Sequence, residues 1–413
     1  NMQQPKKQIR KFVIFLLRQL AKLQLKKYRA QIIGVTGSVG KTTCVKAITQ
    51  ILSSRYKVKS TPKSYNSEIG VPLAILNQKS GYGSPFLWLR IFINAFLYLL
   101  FNWEKYDYLI LELGVDKPGD MQYLLSFIKP KIGVFLNAAA VHTEQFANFS
   151  DPIAEIRREK LKLIKSLPKD GVGITPDDFA IREIAFRPEE GLTFALNYQG
   201  RSETFHLPNI LGRAYAQTFA AAVAVSAACQ ISLSESAKIL KNFQLPPSRM
   251  NLLPGIKGTT LIDSTYNASR LSMLLALSVL TSFQGRRKIA VLGDMRELGN
   301  LAQKEHEIVA GKAVGVADEI VLVGPLMQKF FLPEALKNGF APEKIYCFGS
   351  SIAAGEFVAD KLLKSSEVVL LKGSQNTIFL EEAVKILMKN PKDAPKLLCR
   401  QEKEWLKIKR VGE

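Results

Sequence analysis

The sequence GVTGSVGKTT occupies residues 34–43, and it combines three glycines with a lysine and two threonines at its C-terminal end. A short apolar run at residues 31–33 precedes it, and the composition of residues 44–53 favours a helix. Glycines let the backbone wrap closely around a polyphosphate, while successive N–H groups and the start of the helix point at the anion. The ammonium group of Lys41 can reach the outer phosphates, and the hydroxyl of Thr42 can bind Mg²⁺. The pattern therefore predicts a phosphate-binding loop between a buried strand and a helix.

The residues expected to contact bound phosphates belong to this loop and to the first turn of the helix. They are Gly37, Ser38, Val39, Gly40, Lys41, Thr42 and Thr43. Such a loop occurs in kinases, GTPases and ATPases alike, so by itself it indicates nucleotide binding and leaves the reaction open.

The composition is that of an ordinary globular protein with an unusual charge. The chain has 413 residues, enough for two or three domains, and 47% of its residues are hydrophobic and 23% charged. Its formal charge of +21 indicates an anionic partner, such as nucleotide phosphates, a nucleotide-linked substrate or a membrane surface. Nucleic acid is disfavoured, because the sequence has neither zinc-finger spacing nor an aromatic-rich RNA-binding signature. The four cysteines are scattered, which is typical of reduced thiols in a cytoplasmic protein.

Apolar, strand-like runs alternate with helix-length segments in both halves of the chain. They are residues 108–113, 132–136 and 171–174 in the first half, and residues 259–263, 288–292, 319–323 and 368–372 in the second. This alternation predicts a mostly parallel sheet in each half. Pro246 and Pro247 cannot continue a helix and mark the predicted linker. We therefore predict an N-terminal helix (residues 1–29), a central nucleotide-binding domain (residues 30–247) and a C-terminal domain (residues 248–413).

Two segments are candidates for peripheral contact with the inner face of a membrane. Residues 6–29 predict a basic amphipathic helix, on which Arg18, Lys22 and Lys26 recur at four-residue spacing. Residues 85–103 read PFLWLRIFINAFLYLLFNW, an apolar segment that one arginine and one asparagine interrupt. A bilayer span takes about 20 apolar residues, so this segment is expected to lie in the interface rather than to cross it. The alternative is that both helices pack on each other or on the sheet.

Three segments beyond the loop resemble one enzyme family. Residues 61–72 (TPKSYNSEIGVP), 112–114 (ELG) and 137–144 (NAAAVHTE) are similar to segments that follow the phosphate-binding loop in Mur ligases. Mur ligases are ATP-dependent, amide-forming enzymes of peptidoglycan precursor synthesis. The resemblance therefore implies a cytoplasmic ligase that uses ATP and Mg²⁺.

The second half of the chain extends the resemblance to the C-terminal domain of the same family. The segments are residues 248–250 (SRM), 261–268 (LIDSTYNA), 292–299 (LGDMRELG) and 371–374 (LKGS). Their form is similar to that of the MurF branch, which joins D-alanyl-D-alanine to a UDP-muramoyl-tripeptide. The implied fold is α/β: a P-loop-containing central domain with a mostly parallel sheet, followed by a Rossmann-like C-terminal domain.

The resemblance also implies a defined reaction. A carboxylate of the substrate attacks the γ-phosphate of ATP, and an amine then displaces phosphate from the resulting acyl phosphate. Negative charge builds on the transferring phosphoryl group, so cations and backbone donors are needed around it. By resemblance, the catalytic residues are Lys41, His142, Lys160 and Arg249, and the Mg²⁺ ligands are Thr42, Glu112, His142 and, if carbamylated, Lys160.

The assignment of Lys160 has alternatives. Mur ligases commonly use a carbamylated lysine as an extra carboxylate that faces the metal, and Lys160 fits best by its distance from the apolar pair at residues 163–164. Arg157, which cannot be carbamylated, and Lys162 are the other cations considered. A charged helix of this kind is also typical of a solvent-exposed face.

Residues of the C-terminal half are expected at the nucleotide or at the peptide substrate. By resemblance they are Arg249, Asp263, Tyr266 and Asn267 for ATP, and Lys372 and Ser374 for the peptide substrate. Arg249 is expected at the γ-phosphate and Asp263 at the ribose. Asp263 ends a predicted strand, where open α/β sheets place ligand-binding groups, and the alternative is that it caps the helix that follows.

The chain also departs from the family pattern. About thirty residues precede the loop, too few for the family's usual N-terminal UDP-binding domain, which is therefore expected to be absent. Ala214 and Thr218 replace polar groups expected near the adenine. These departures affect the substrate assignment more than the use of ATP. Two alternatives follow: a Mur-like ligase for another acidic polymer or a lipid-linked cell-wall precursor, and a nucleotide-binding scaffold without ligase activity.

Overall fold

The structure is a computed structural model that describes residues 3–62, 65–81, 85–140, 143–375 and 377–411. Its strands form two mainly parallel sheets and one small antiparallel sheet. The helices are α1 (Gln3–Tyr28), α2 (Lys41–Leu52), α3 (Gly70–Ile75), α4 (Pro85–Phe101), α5 (Asp120–Leu125), α6 (Pro152–Lys165), α7 (Tyr215–Ala228), α8 (Leu233–Leu240), α9 (Arg270–Thr281), α10 (Ala302–Val314), α11 (Leu332–Lys337), α12 (Ser351–Phe357), α13 (Glu381–Leu387), α14 (Ala394–Leu397) and α15 (Lys403–Val411).

The strands match the predicted strand-like runs and add others, among them β6, β7 and β8. They are β1 (Gln31–Thr36), β2 (Val58–Ser60), β3 (Tyr108–Glu112), β4 (Ile132–Phe135), β5 (Val172–Ile174), β6 (Ala180–Arg187), β7 (Gly191–Tyr198), β8 (Arg201–Leu207), β9 (Asn251–Pro254), β10 (Thr260–Asp263), β11 (Lys288–Gly293), β12 (Glu319–Val323), β13 (Ile345–Phe348) and β14 (Val368–Lys372).

The first sheet has the strand order β2-β3-β1-β4-β5, and all its neighbouring strands are parallel. Strands β1, β3 and β4 are almost entirely buried, as expected for the centre of a parallel sheet that is covered on both faces. Because β1 lies between β3 and β4, the segments that follow these three strands meet at one edge. Open α/β sheets bind their ligands at this edge, beyond the carboxyl ends of the strands.

The second sheet has the order β13-β12-β11-β14-β10-β9. Its first five strands are parallel, and β9 pairs with β10 in the antiparallel direction at the edge. The two mainly parallel sheets confirm the predicted α/β fold class. The antiparallel edge strand was not predicted, because residues 251–254 are too few to give a periodic pattern.

A third, antiparallel sheet of β6, β7 and β8 was also not predicted. Many side chains of β6 and β8 are exposed, so these strands lack the apolar runs that marked the parallel ones. Gly191 is the first residue of β7 and has a φ of 79°, and a Cβ atom there would lie 2.3 Å from the carbonyl oxygen of Leu207. The position therefore requires glycine.

Helices α1 and α4 pack beside the first sheet. Leu17 and Leu20 of α1 and Ile91 and Ala95 of α4 are buried in one apolar cluster with residues of α3 and β3. The two helices therefore pack on each other and on the sheet along one face of each helix, as expected for the alternative to membrane contact. Within the described part of the chain, no helix combines the length and the apolar character that a bilayer crossing requires.

Candidate active site

A cavity of about 680 Å³ lies between the two mainly parallel sheets. Its walls come from the carboxyl ends of strands in both sheets and from the phosphate-binding loop. The loop residues Gly37 to Thr43 all line it, as do Glu112 and Lys160 from the first half of the chain. From the second half, Arg249, Tyr266, Asn267 and Lys372 are part of the lining.

The phosphate-binding loop has the conformation that anion binding needs. Gly40 is the last residue before α2 and has a φ of 90°, and a Cβ atom there would lie 2.8 Å from the hydroxyl of Thr218. The Lys41 ammonium donates to the carbonyl oxygen of Gly37 at 2.8 Å. Burial is the main cause that lowers the pKa of Lys41, and the Glu112 carboxylate opposes this shift. The side chain of Lys41, the first residue of α2, therefore folds back across the loop.

Asn137, which follows β4, supports the loop from the neighbouring strand. Its Oδ1 accepts hydrogen bonds from the backbone N–H of Ser38 at 3.1 Å and of Val39 at 2.9 Å. Its Nδ2 donates to the carbonyl oxygen of Val39 at 2.9 Å. One side chain therefore fixes the tip of the loop against the sheet.

Thr42 and Glu112 form the oxygen-rich centre of the cavity. The Thr42 hydroxyl donates to Glu112 Oε2 at 2.8 Å, and the Asn66 amide donates to Glu112 Oε1 at 2.8 Å. Hard oxygen donors of this kind suit Mg²⁺, which proteins usually bind through one or two carboxylates together with phosphate oxygens. The described residues contain no cluster of three or more histidine, cysteine or carboxylate side chains that would hold a metal without such help.

Arg249 joins the two domains at this centre. Its guanidinium donates to the Thr42 hydroxyl at 3.0 Å, and it lies 4.1 Å from the centroid of the Tyr266 ring. A planar guanidinium that is stacked on an aromatic ring keeps its N–H groups in a fixed direction. The arrangement puts a permanent cation beside the phosphate-binding loop.

Lys160 is buried on α6, with only 3% of its surface exposed. Burial, and then the positive charge of Lys41, lower its pKa to about 7, although Asp116 and other carboxylates oppose the shift. Because of this lowered pKa, a large fraction of the Lys160 side chain is a neutral amine near neutral pH.

The start of α6 is capped by Asp151, which accepts from the backbone N–H of Ile153 and Ala154. Such a cap stabilises a helix by about 1 kcal/mol.

The two alternatives to Lys160 point elsewhere. Arg157 is exposed to solvent. Lys162 forms an ion pair with Glu159, whose other oxygen accepts from the backbone N–H of Gly119 at 3.1 Å and of Met121 at 3.2 Å. Of the three cations considered on this helix, Lys160 is the one that lines the cavity.

Two family profiles match the chain. The profile described as Mur ligase middle domain matches residues 35–210, and the profile described as Mur ligase, glutamate ligase domain matches residues 248–375. Together the two matches cover more than half of the chain. The chain belongs to the Mur ligase family.

Relatives and solved structures agree with this assignment. The UDP-N-acetylmuramoyl-tripeptide–D-alanyl-D-alanine ligase of Bacillus subtilis (strain 168) is 28% identical over 399 residues and covers 91% of this chain and 79% of that protein. The crystal structure of MurF from Acinetobacter baumannii has a TM-score of 0.75 at 25% identity and covers 91% of this chain and 80% of that one. The MurF ligase from Thermotoga maritima in complex with ADP has a TM-score of 0.73 at 23% identity, with coverages of 92% and 84%. The chain is a MurF-like, amide-forming ligase.

In this Mur ligase Asp263 does not line the cavity. Its carboxylate is fully buried and accepts from the Ser248 hydroxyl at 2.8 Å and from the Thr265 hydroxyl at 2.7 Å. Burial raises its pKa to about 6, and these hydrogen bonds oppose the shift. The helix that follows is capped by Ser269 instead. Asp263 therefore ties residues 248 and 265 together and does not cap the helix, and its contact with the ribose stays a prediction.

Lys372 and Ser374, the two residues predicted to contact the peptide, lie in different places. Lys372 lines the cavity and donates to the carbonyl oxygen of Asn267 at 2.8 Å and to the Ser264 hydroxyl at 3.2 Å. Ser374 is buried, and its hydroxyl accepts from the backbone N–H of Arg296 at 3.0 Å. It is therefore not brought into the cavity with the others. His142 lies outside the described residues, and its role stays a prediction.

Sequence reasoning assigned no role to several residues that complete the site of this Mur ligase. Asn66 and Asn137 stood inside the family-like segments, but their contacts to Glu112 and to the loop became visible only in the fold. Asp116 lines the cavity beside Lys160. The lining also includes the apolar residues Phe186, Leu275 and Val279, together with Ala214 and Thr218. No local sequence signal marks these apolar residues, because they come from two distant segments, β6 and α9.

Proposed function

We propose that this Mur ligase uses ATP and Mg²⁺ to join the terminal carboxylate of a UDP-linked muramoyl-tripeptide to the amine of D-alanyl-D-alanine. The observation that carries the proposal is the hydrogen bond between Arg249 and Thr42, which brings a cation of the C-terminal domain to the phosphate-binding loop. The names of the relatives supply the substrates. We infer that the enzyme works in the cytoplasm, where both ATP and the nucleotide-linked precursor are available.

The proposed reaction runs in two steps, and each step requires particular groups in the cavity. An oxygen of the substrate carboxylate attacks the γ-phosphorus of ATP, the bond to the β-phosphate oxygen breaks, and ADP leaves. The amine of the second substrate then attacks the acyl carbon, and the tetrahedral intermediate expels phosphate and loses a proton. Lys41, Arg249 and the loop N–H groups carry out the first step by holding the phosphates in line and balancing their charge.

Thr42 and Glu112 would hold Mg²⁺ against the phosphates, with a carbamylated Lys160 as a further carboxylate. The ion supplies charge neutralisation on the phosphate oxygens when it is bound. The neutral amine of Lys160 can attack CO₂, which gives a carbamate and releases a proton, and the pKa of about 7 supports this assignment. Asn66 fixes the orientation of the Glu112 carboxylate by its hydrogen bond of 2.8 Å.

The experiment measures phosphate release from ATP with UDP-muramoyl-tripeptide and D-alanyl-D-alanine together and with each alone, and it identifies the product by mass spectrometry. We expect release and a peptide product only when both substrates are present. Release that depends on a different acid, such as a polymer or a lipid-linked precursor, would overturn the substrate assignment but not the ligase activity. ATP binding without release under any of these conditions would favour a scaffold role and contradict the proposal.

A further inference from the structure

Helix α4 exposes apolar side chains where a surface helix normally has polar ones. Its exposed side chains are Phe86, Leu87, Leu89, Arg90, Ile93, Asn94, Phe96, Leu97, Leu100 and Phe101. Only two of these ten are polar, while the opposite face, with Ile91 and Ala95, is buried against the protein. A helix that is apolar all round is usually enclosed by protein or by lipid. One side of α4 is therefore exposed, although its side chains are those of a helix that is usually buried.

The apolar surface extends from α4 onto α1 and to Trp103. Phe12, Phe15 and Leu23 of α1 are exposed, and Trp103 is 75% exposed. Twelve of the seventeen large apolar side chains that are exposed in the described parts of the chain belong to α1, α4 and Trp103. Contiguous patches of this kind mark interaction sites on proteins. We call this surface the α1–α4 face.

The α1–α4 face is held in a fixed shape. Tyr28 at the end of α1 lies 2.9 Å from the hydroxyl of Tyr98 and donates to the carbonyl oxygen of Ile75 at 2.6 Å. The Lys27 ammonium donates to the carbonyl oxygen of Leu99 and lies 4.0 Å from the centroid of the Trp103 ring. The two helices are thus joined by hydrogen bonds near one end of α4. The exposed apolar side chains therefore belong to helices that are fixed to the rest of the fold.

Most of the charges on and near the face are positive, with Glu68 and Glu104 as acidic exceptions. Residues 1–103 contain 17 lysines and arginines and a single acidic residue, Glu68, so 16 of the 21 net positive charges of the chain lie in its first quarter. On α1, the exposed Lys22 and Lys26 flank the exposed Leu23, and Lys11 precedes Phe12. Long basic side chains beside apolar ones suit a surface that is apolar inside and anionic outside, because the stem and the charged group can each reach their preferred environment.

We propose that the α1–α4 face docks on the surface of a membrane that contains anionic phospholipids. The exposed side of α4 enters the boundary between head groups and acyl chains, and the cations of α1 contact the phosphates of the head groups. Trp103 lies at the level where tryptophan is enriched at membrane interfaces. A second copy of the chain fits less well, because a symmetric contact would bring two strongly basic α1 helices together.

The experiment uses the full chain and vesicles of phosphatidylcholine with or without phosphatidylglycerol. We expect co-sedimentation with the anionic vesicles that weakens as salt is added, and a blue shift of the Trp103 fluorescence, with Trp103→Phe as the reference. The variant L89S/I93S/F96S removes apolar groups that are exposed and should bind on the order of tenfold more weakly or worse. The variant K22E/K26E should lose binding to the anionic vesicles in particular.

A matched control carries three serine substitutions at exposed apolar positions of the C-terminal half, L252S/I308S/L336S. It should bind vesicles as the parent does, and all variants should keep the parent's circular dichroism. The proposal is overturned if the parent does not bind anionic vesicles, or if L89S/I93S/F96S binds as well as the control. It is also overturned if sedimentation velocity reveals a stable dimer that the same three substitutions dissociate.

Discussion

Lys160 and Lys372 come from the two domains that form the cavity, and burial lowers the pKa of both lysines to about 7. Their surroundings differ. Asp116, Asp120 and Glu159 oppose the shift in the pKa of Lys160. For Lys372 the opposing carboxylate is Asp263, and its ammonium donates to oxygen atoms of Ser264 and Asn267 in its own domain. The same shift in pKa therefore accompanies two roles. Lys160 lines the cavity with a buried amine, which we propose is carbamylated, and Lys372 donates to a loop of the C-terminal domain.

The comparison extends to the two walls of the cavity. The first wall consists of the lining residues from the N-terminal half of the chain, and the second wall consists of those from the C-terminal half. In the first wall, Lys41, Thr42 and Glu112 line the part of the cavity where we propose that the triphosphate binds. In the second wall, Lys372 donates to its own domain, and Asp263 is hydrogen-bonded within the same domain without lining the cavity. Substitutions in the first wall and of Arg249 should therefore lower the rate of the chemical step, and those of Lys372 should disturb orientation.

The largest effect is expected for Lys41→Ala. It removes the cation that balances charge on the transferring phosphoryl group, and losses of about 10³-fold or more in kcat are typical for such groups. The measurement is ATP-dependent product formation under saturating substrates. Lys46→Ala is the matched control, because Lys46 lies on the same helix and donates to the carbonyl oxygen of Gln244, outside the cavity lining. If Lys41→Ala kept kcat within tenfold of the parent, the first wall would not perform the chemistry.

Lys160→Ala should lower kcat by about 10²-fold, the upper part of the range for groups that support a metal site. Lys162→Ala is the matched control, since its partner Glu159 keeps two backbone hydrogen bonds. In the parent, removal of CO₂ should lower activity, bicarbonate should restore it, and ¹³C-labelled bicarbonate should give a carbamate signal that Lys160→Ala lacks. A parent enzyme that is insensitive to CO₂ and gives no carbamate signal would contradict the assignment.

The pH dependence of this carbamate follows from the lowered pKa of Lys160. With a pKa of about 7, the amine is mostly protonated below pH 7 and mostly neutral above it. Only the neutral amine reacts with CO₂, so carbamate formation should rise as the pH increases from 6 to 8, by roughly the increase in the neutral fraction. A lysine at its ordinary pKa would still be almost fully protonated at pH 8, and the carbamate signal would then stay low throughout this range.

Asn66→Ala tests how far the first wall depends on groups that touch no phosphate. The substitution removes the hydrogen bond that orients Glu112, and such supporting contacts typically change metal affinity by about 10- to 100-fold. The Mg²⁺ concentration at half-maximal activity should rise, while kcat at saturating Mg²⁺ should change little. Asn197→Ala serves as the control, because Asn197 is exposed on β7. An unchanged Mg²⁺ dependence would show that Asn66 does not support Mg²⁺ binding by Glu112.

The phosphate-binding loop was predictable from the sequence because its chemistry is contained in one contiguous stretch. The contacts of Asp263 were not, because they depend on Ser248, fifteen residues away, and on a turn at Thr265. Ser374 shared a family-like segment with Lys372, yet its hydroxyl accepts from Arg296 and is turned away from the cavity. For α4 the limit is different in kind. Its sequence is almost entirely apolar, so the spacing of its apolar residues does not predict which face packs against the protein.

The smallest effect is expected for Lys372→Met, which keeps the length and the apolar stem of the side chain. It removes the hydrogen bonds to Ser264 and Asn267, and the loop that carries Tyr266 and Asn267 should become less ordered. We expect kcat to fall on the order of tenfold, because the ring that stacks on Arg249 loses part of its support, although Arg400 still donates to the carbonyl oxygen of Tyr266. Stability should fall by about 1–3 kcal/mol, because buried oxygen atoms of Ser264 and Asn267 lose a donor. A loss as large as that of Lys41→Ala would mean that Lys372 contacts the reacting groups directly, and the contrast between the two walls would fail.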